Sequence, residues 1–540
     1  MGETLRARER PWSLGVVMAR RATRDGAVRT LVFAVVFGLY AWLQAFGYRG
    51  AYPSLADRLA FAGAFAHNDA LRLFYGYPYD VVTVGGYCAW RVGGTLSIAA
   101  AVFGVMSAVR ALRAEEDAGR AELVLAGAVR RSHYFLAAVL SVLLGALALG
   151  AGELGGYLAG GLALGPSMYA ALATALVVPV FAGLGALASQ LAPTRRGALA
   201  LSLGGVGTFW LARMVADTWA PAAWLRTITP LGWAESMRPF AGSRADFALP
   251  SLALSGLTLL GAGVVARTRD VGVGLAAPRD RARSHRGWLG GPTRQYVLVA
   301  RGSLAAWATG FGVFAFVLGM VSTSISSAGV SPELRRQLQS LGLGSVFTPG
   351  GYLAFVFVVF IVALTYFVSA QMAAARQEEA DQALETLLAQ PVDRRRWLLG
   401  RQLVAALGSL GLAGEVGLLA WLGAATRGAN VSLGQMLEAG ANTLPTAILF
   451  LGLASLLYAL VPRASSAVSY ALASVAFLWY VVGSLLHVPR WLVDATPYVH
   501  VGYVPAEAFR PVPAFVMLGA GLLTGVAATL CLARRDLLSA

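Results

Sequence analysis

The chain has 540 residues, of which 57% are hydrophobic and only 13% are charged, and its mean hydropathy is +0.65. Soluble proteins carry about 25% charged residues, so this composition excludes an ordinary soluble domain. The net charge of +16 does not indicate a nucleic-acid partner, because the arginines lie in short segments between long apolar runs. That distribution is typical of the positive-inside pattern that orients membrane helices.

Twelve apolar runs are long enough to cross a hydrocarbon core of about 30 Å as helices. The predicted spans are 28–46, 91–110, 133–158, 167–191, 197–216, 249–266, 300–322, 351–372, 397–424, 437–460, 465–486 and 513–533. Arginine-rich segments recur on one side of this topology, so we expect both termini in the cytoplasm of a bacterial inner-membrane protein. The N-terminal apolar run is too long for a cleaved signal peptide.

The two halves of the chain repeat each other, which predicts an all-α polytopic protein of two parallel six-helix units. Gly85-Gly86-Tyr87 matches Gly350-Gly351-Tyr352, and Thr229-Pro230 matches Thr496-Pro497 at nearly the same offset. An even number of spans in each half makes the repeats parallel rather than inverted. The predicted segments are a cytoplasmic arm with an interfacial elbow helix (1–27), a first unit (28–266), an Arg-, Gly- and Pro-rich cytoplasmic linker (267–295) and a second unit (296–540).

The loop after the second span has the same acidic pattern in both halves. The residues concerned are Glu115, Glu116 and Glu122, followed by Arg131, and Glu378, Glu379 and Glu385, followed by Arg394. Glutamates seven residues apart are expected near one face of a short amphipathic helix. A solvated turn held by local ion pairs, each worth about 0.2–0.5 kcal/mol, would explain a single copy. Recurrence at the same place in both halves favours a docking element.

The segment from Arg376 to Arg394, with its paired glutamates and Pro391-Val392, resembles the cytoplasmic coupling segment of ABC-2 type permeases. The two fused six-helix units resemble the tetronasin or polyketide-antibiotic exporter group of that family. The resemblance implies a permease that binds two copies of a separate ABC ATPase, which holds the ATP and Mg. It also implies outward transport of a hydrophobic or amphipathic drug, antibiotic or polyketide. The first half has Ala128 where the second has Pro391, so the resemblance does not extend to equal docking of both halves.

The outer loops before the last span of each half form a second candidate site. Thr229-Pro230 and Thr496-Pro497 interrupt any helix there, because proline lacks a backbone donor and restricts the residue before it. In ABC-2 permeases this region forms short re-entrant helices above the pathway. An interfacial aromatic loop explains the Trp and Tyr content equally well.

Two carboxylates lie inside apolar runs at equivalent places, Glu153 in the third span and Glu415 in the ninth. A charge in the bilayer centre costs roughly 2.5–3.5 kcal/mol and is usually retained for a function. They are candidates for a polar pathway lining or for a cation or proton site. The alternative is a protonated or water-exposed residue near the outer interface, or one bonded to a neighbouring helix.

No enzymatic site is predicted. The sequence contains no lysine, so it cannot form a P-loop, which requires one. The five histidines and the cysteines Cys88 and Cys531 show no metal-ligand spacing, and no disulfide is expected. The alternative function is a proton-coupled secondary multidrug transporter, since that class also has a 6+6 helix layout. Its loop after the second span typically contains a Gly- and Arg-rich motif, whereas this loop is rich in glutamate.

Overall fold

The computed structural model describes residues 11–65, 69–127, 129–276, 291–326, 348–483, 491 and 494–535. Within these ranges the regular secondary structure is helical, and eleven helices are long and apolar enough to cross a membrane. A twelfth predicted span, 465–486, corresponds to an apolar helix over Ser465–Gly483, and its last three residues lie outside the described residues. The predicted all-α polytopic class is therefore confirmed. Ala128 and linker residues 277–290 lie outside the described residues.

The chain divides into two compact units, Met1–Asp280 and Arg281–Ala540. In the described part of the first unit the helices are α1 (Pro11–Ala51), α2 (Leu55–Phe65), α3 (Asp69–Tyr75), α4 (Val84–Val109), α5 (Glu115–Asp117), α6 (Arg120–Leu125), α7 (Arg131–Ala159), α8 (Leu164–Leu191), α9 (Arg195–Thr218), α10 (Pro230–Ser236) and α11 (Ala248–Thr268). The most extensive pairings are α1 with α7, α4 with α8, and α8 with α11. Helices α4 and α8 are the most buried of the membrane-length helices and form the interior of this unit.

The described helices of the second unit are α12 (Pro292–Ser326), α13 (Pro349–Ala380), α14 (Ala383–Leu388), α15 (Arg394–Ala425), α16 (Leu433–Ala441), α17 (Leu444–Leu460), α18 (Ser465–Gly483) and α19 (Pro511–Arg534). The main pairings are α12 with α15, α17 with α19, and α13 with α17. Here α13 and α17 are the most buried helices, as expected if the second unit repeats the plan of the first.

Glycines allow close helix crossings in both units. In the first unit a Cβ on Gly156 of α7 would overlap the carbonyl oxygen of Gly38 on α1. In the second unit a Cβ on Gly423 of α15 would overlap the carbonyl oxygen of Phe316 on α12. Such close approach is how membrane helices gain packing energy when lipid removes the hydrophobic driving force between them.

Two elements differ from the sequence prediction. The predicted elbow helix and the first span are one continuous helix, α1, because the isolated Gly26 between them does not interrupt helical hydrogen bonding. The predicted span 437–460 lies within the membrane-length segment Leu433–Leu460, but Asn442 and Thr443 divide that segment into two helices, α16 and α17. Pro445 lies in the first turn of α17, where its missing backbone donor costs nothing.

Candidate functional site: the loop after the second membrane helix of each unit

In the first unit, α4 continues as one π-helical turn, Arg110–Ala114, and then as α5. The chain turns at Gly119, whose φ of 69° lies in the left-handed region, and α6 begins at Arg120. The predicted single amphipathic helix is therefore wrong. Glu115 and Glu122 lie on two different helices, because the turn at Gly119 interrupts the seven-residue spacing that would align them.

The second unit has the same turn at the equivalent position. Glu378 belongs to the end of α13, the chain reverses at Gln382 with φ 58°, and Glu385 lies on α14. Glu378 and Glu385 are therefore not on one helical face either. A non-glycine residue in this conformation costs about 1–2 kcal/mol, so surrounding contacts must stabilise the turn. We call residues 110–130 and 376–393 the coupling loops.

A buried carboxylate holds the first coupling loop in place. Arg269, just after the last membrane helix α11, donates from Nη2 to Glu116 Oε1 at 2.6 Å and to Oε2 at 2.8 Å. Arg113 donates from Nη1 to Glu116 Oε2 at 2.9 Å. The side chains of Arg269 and Glu116 are 5% and 11% exposed. Charge-assisted bonds of this kind are about twice as strong as neutral ones, so the pair joins the loop firmly to α11.

The second coupling loop is held in the same way. Arg535, just after α19, donates from Nη2 to both carboxylate oxygens of Glu379 at 2.7 Å. The side chain of Glu379 is 1% exposed and that of Arg535 is 16% exposed. Glu379 lies 263 positions after Glu116 (379 − 116), which is the offset of the sequence repeat. We call Glu116–Arg269 and Glu379–Arg535 the carboxylate clasps.

Arg131 and Arg394, predicted at the docking surface, each support a clasp. Arg131 donates from Nη1 to the backbone carbonyl of Arg269 at 2.7 Å, and Arg394 donates to that of Arg535 at 2.6 Å. Each therefore joins the start of the third membrane helix of its unit to the end of the last one. Glu116 and Glu379 likewise face into the protein. Sequence reasoning missed Arg269 and Arg535 as the partners of these glutamates.

Glu115 and Glu378 lie at the edge of the coupling loops and are paired locally. Glu115 accepts two bonds from Arg120, at 2.6 and 2.8 Å. Glu378 is bonded to Arg401 of α15, and both glutamate side chains are 31% exposed. The Arg401 guanidinium lies over the ring of Tyr296 at 4.0 Å, so the second loop is also fixed to α12.

Glu122 and Glu385 are the exposed acidic residues of the coupling loops, on α6 and α14. Their carboxylates have no hydrogen bond or ion pair among the residues that the structure describes. Leu123 beside Glu122 is 78% exposed. Each coupling loop therefore presents a short exposed helix, α6 or α14, with an unpaired acidic group among the described residues. Ion pairs hold the rest of the loop against the membrane helices.

The outer loops differ between the two units. In the first, the Thr229 side chain accepts from the N–H of Gly232 and Pro230 occupies the first turn of α10. In the second, Pro497 begins a 3-10 turn, Pro497–His500, and Thr496 donates to the carbonyl of Ala476 at 2.9 Å. Thr229 and Thr496 are both buried. Short helices follow both Thr-Pro pairs, as the predicted re-entrant arrangement requires, but their position relative to a pathway stays a prediction.

Glu153 and Glu415 are not placed equivalently. Glu153 is fully buried, and its Oε1 accepts from Tyr157 Oη at 2.9 Å and from Thr174 Oγ1 at 3.2 Å. Its Oε2 has no hydrogen-bond partner in the described part of the chain. Glu415 is half-buried, beside Gly312 of α12. Glu153 is thus bonded to the neighbouring helix α8, and a transport role for either carboxylate stays a prediction.

A cluster of charged residues that was not predicted from the sequence lies at the outer end of the first unit. Arg226 Nε lies 2.8 Å from Asp217 Oδ1 and 3.7 Å from Glu235 Oε1. Arg213 is buried one helical turn before Asp217, at 3.6 Å. The N–H of Tyr77 donates to Glu235 at 2.6 Å. The sequence signal for this cluster was the pair Arg213 and Asp217, four residues apart at the end of an apolar span. Charged residues are rare in such a place unless they are paired.

Glu235 should make the stability of the first unit depend on pH. Burial, and then the negative charge of Asp217, raises the pKa of Glu235 from 4.5 to about 8, against the attraction of Arg213 and Arg226. Between about pH 4.5 and 8 the folded protein therefore keeps a proton on Glu235 that the unfolded chain has already released. The free energy of unfolding should fall as the pH rises through this window and then level off.

The variant Glu235→Gln should lose this part of the pH dependence, since glutamine does not titrate. The measurement is the melting temperature of the purified protein between about pH 5 and 8. Asp246→Asn is the matched control, because the bond from Arg244 lowers the pKa of exposed Asp246 below its ordinary value of 3.8, outside this window. Equal slopes for the wild type and Glu235→Gln would contradict the prediction.

Membrane-length helices in two compact units, with ion-paired loops after the second membrane helix of each unit, define a polytopic membrane protein. Residues 37–267 and 289–532 match the model of the family described as multidrug efflux system permease Rv1217c, C-terminal domain. The chain belongs to this family. It is also 29% identical, over 90% of its length and 88% of the relative's, to the multidrug efflux system permease protein Rv1217c of Mycobacterium tuberculosis (strain ATCC 25618 / H37Rv). It is a multi-pass protein of the bacterial inner membrane.

Proposed function

We propose that this permease is the membrane subunit of an ABC exporter of the ABC-2 type. Two copies of a separate ATPase dock on its coupling loops, and ATP binding there drives a hydrophobic or amphipathic compound outward. The cargo class follows from the few charged side chains in the membrane-length helices and from membership of the multidrug efflux permease family. The sequence also resembles the tetronasin and polyketide-antibiotic exporter group, which suggests a drug, an antibiotic or a polyketide. ATP and Mg belong to the partner subunit.

The observation that supports this function is the repeated construction of the coupling loops. Each has an exposed acidic helix, α6 or α14, that offers a surface to a partner. Each is also joined by a carboxylate clasp to the last membrane helix of its unit. A displacement of α6 or α14 would therefore move α11 or α19 with it. A pump needs such a connection, because nucleotide can only shift the equilibrium between two conformations that it contacts differently.

Charge reversal of the two exposed glutamates tests this proposal. Glu122→Arg combined with Glu385→Arg should abolish co-purification with an ABC ATPase encoded next to the permease gene and should reduce ATP-dependent dye export from cells to background. The physical reason is that like charges at a docking interface cost several kcal/mol, whereas these exposed side chains contribute little to folding.

Asp494→Arg is the matched control, since it reverses the charge of an exposed acidic residue in the outer loop of the second unit, outside the membrane-length helices. It should leave the complex and export intact. The melting temperature of the isolated permease should be unchanged in both variants. A complex that survives the double reversal would refute docking through α6 and α14.

A proton-driven transporter is the second candidate function, and Glu153 is the observation that favours it. A fully buried carboxylate with one unsatisfied oxygen is able to bind and release a proton. Export that follows an imposed proton gradient without ATP, and that Glu153→Gln abolishes while the melting temperature is retained, would select this function. Export that requires ATP and survives Glu153→Gln would exclude it.

A further inference from the structure

The first unit contains a cavity of about 380 Å³ between α1, the end of α4, the first coupling loop and the start of α7. A cavity of this size is within the range that holds small ligands in proteins. Its lining extends along α7 from Tyr134 to Ala148, which is 14 residues (148 − 134) or about 21 Å of helix. The cavity is therefore long and narrow.

The polarity of the lining changes along this length. The lining includes four arginines and two acidic residues: Arg21, Arg29, Arg110, Arg120, Asp25 and Glu115. Arg29 lies deepest of these, with its guanidinium 5.8 Å from the ring centre of Phe103. Farther into the membrane it consists of apolar or small residues, such as Ala34, Phe103, Val142 and Ala148. The cavity is thus charged at the membrane surface and apolar within the hydrocarbon region.

Two of the four arginines make no direct ion pair with a described carboxylate. Arg120 is bonded to Glu115 through two nitrogens, and Arg21 lies 3.8 Å from Asp25. Arg29 and Arg110 form no ion pair with any residue that the structure describes, and their charges repel each other. The Nε of Arg29 is buried without a hydrogen-bond partner among the described residues. Its only described polar contact is a long bond of 3.4 Å to Ser107.

We propose that this cavity binds an anionic amphiphile, whose phosphate or carboxylate lies between Arg29 and Arg110 and whose alkyl chain lies along Phe103 and α7. An anion there would neutralise the excess positive charge and satisfy the buried nitrogen of Arg29. An alkyl chain fits the apolar depth, which water fills poorly. The proposal is independent of the ATPase and holds for either proposed function.

The sources of such a ligand are the phospholipid of the surrounding leaflet and a soluble amphiphile that reaches the site from the cytoplasm. Basic pockets between membrane helices are known features of lipid recognition at the membrane surface. Both sources share the same chemistry, an anionic head and an alkyl chain, and competition distinguishes them.

The test uses the purified full-length chain and measures the phosphatidylglycerol that it retains after transfer into neutral detergent, by native mass spectrometry. We expect the wild type to retain phosphatidylglycerol and not phosphatidylcholine with the same acyl chains. Arg29→Gln combined with Arg110→Gln should weaken retention by about tenfold or more, because each removes a charge-assisted bond. Ser141→Leu, which fills the middle of the cavity, should also weaken it.

Arg24→Gln is the matched control, since Arg24 is an exposed arginine of the same helix that does not line the cavity. It should retain phosphatidylglycerol as the wild type does. Displacement by dodecyl phosphate but not by inorganic phosphate would support a site open to soluble amphiphiles. Resistance to dodecyl phosphate would support a phospholipid site. Equal retention of phosphatidylcholine, equal retention by the Arg29/Arg110 variant, or equal displacement by inorganic phosphate would overturn the proposal.

Discussion

Replacing Arg535 with glutamine should lower the free energy of unfolding by about 3–5 kcal/mol and abolish export. The substitution removes the charged nitrogen, Nη2, that bonds both oxygens of the buried Glu379 carboxylate, and breaking a buried ion pair from one side carries a cost of this size. It also releases the second coupling loop from α19. The measurements are the melting temperature of the purified permease and dye export from cells.

Arg534→Gln is the control for this experiment, because Arg534 is the exposed neighbour and takes no part in the clasp. The double variant Glu379→Gln with Arg535→Gln should be less destabilised than the two single losses added together, since no charge is then left buried. Its export should still be impaired, because the connection between loop and helix is missing. A melting temperature for Arg535→Gln equal to that of Arg534→Gln would refute the clasp as a stabilising contact.

A leucine at Gly156 should prevent the first unit from folding. The added side chain would overlap the carbonyl oxygen of Gly38, and a backbone atom on a packed helix cannot rotate away as a side chain can. Extra methylene groups that a protein core can accommodate cost about 1–3 kcal/mol of stability. The cost at Gly156 should be larger, because α1 and α7 would have to separate to make room for the leucine. The measurement is the yield of monodisperse protein after extraction from the membrane.

Gly155→Leu is the control that the chain itself offers, since a Cβ on Gly155 meets nothing within 4 Å. It adds the same side chain to the same helix one residue earlier and should give a normal yield. In the second unit Gly423→Leu and Gly414→Leu should form an equivalent pair, because only the first meets backbone from α12. Similar yields from Gly155→Leu and Gly156→Leu would contradict the close crossing of α1 and α7.

The membrane helices were predictable from local sequence, whereas the ion pairs of the coupling loops were not. Apolar runs of sufficient length report a membrane helix within one segment of chain. The partner of Glu116 is 153 residues away and that of Glu379 is 156 residues away, so no spacing rule connects them. The arginines concerned, Arg269 and Arg535, read in sequence only as charges that orient the neighbouring helices.

The glutamates of the coupling loops show the same limit of prediction from local sequence. The repeat singled out the two loops, and the structure shows that Glu122 and Glu385 are their exposed glutamates. The turns at Gly119 and Gln382 were not predicted, because a left-handed residue in a helical pattern leaves no signal in the hydrophobic periodicity. The outer charged cluster around Glu235 was missed for a related reason, since three of its members come from separate segments that only the fold brings together.

The position of the clasp arginines in the chain also determines the order in which the protein can mature. Arg269 is made directly after the last helix of its unit, so the first unit can close while the second is still being synthesised. Arg535 can close the second unit only after α19 has been synthesised. Domains usually fold as units in the order of their synthesis. Each carboxylate clasp therefore forms only after the last membrane helix of its unit has been made, and the first clasp precedes the second.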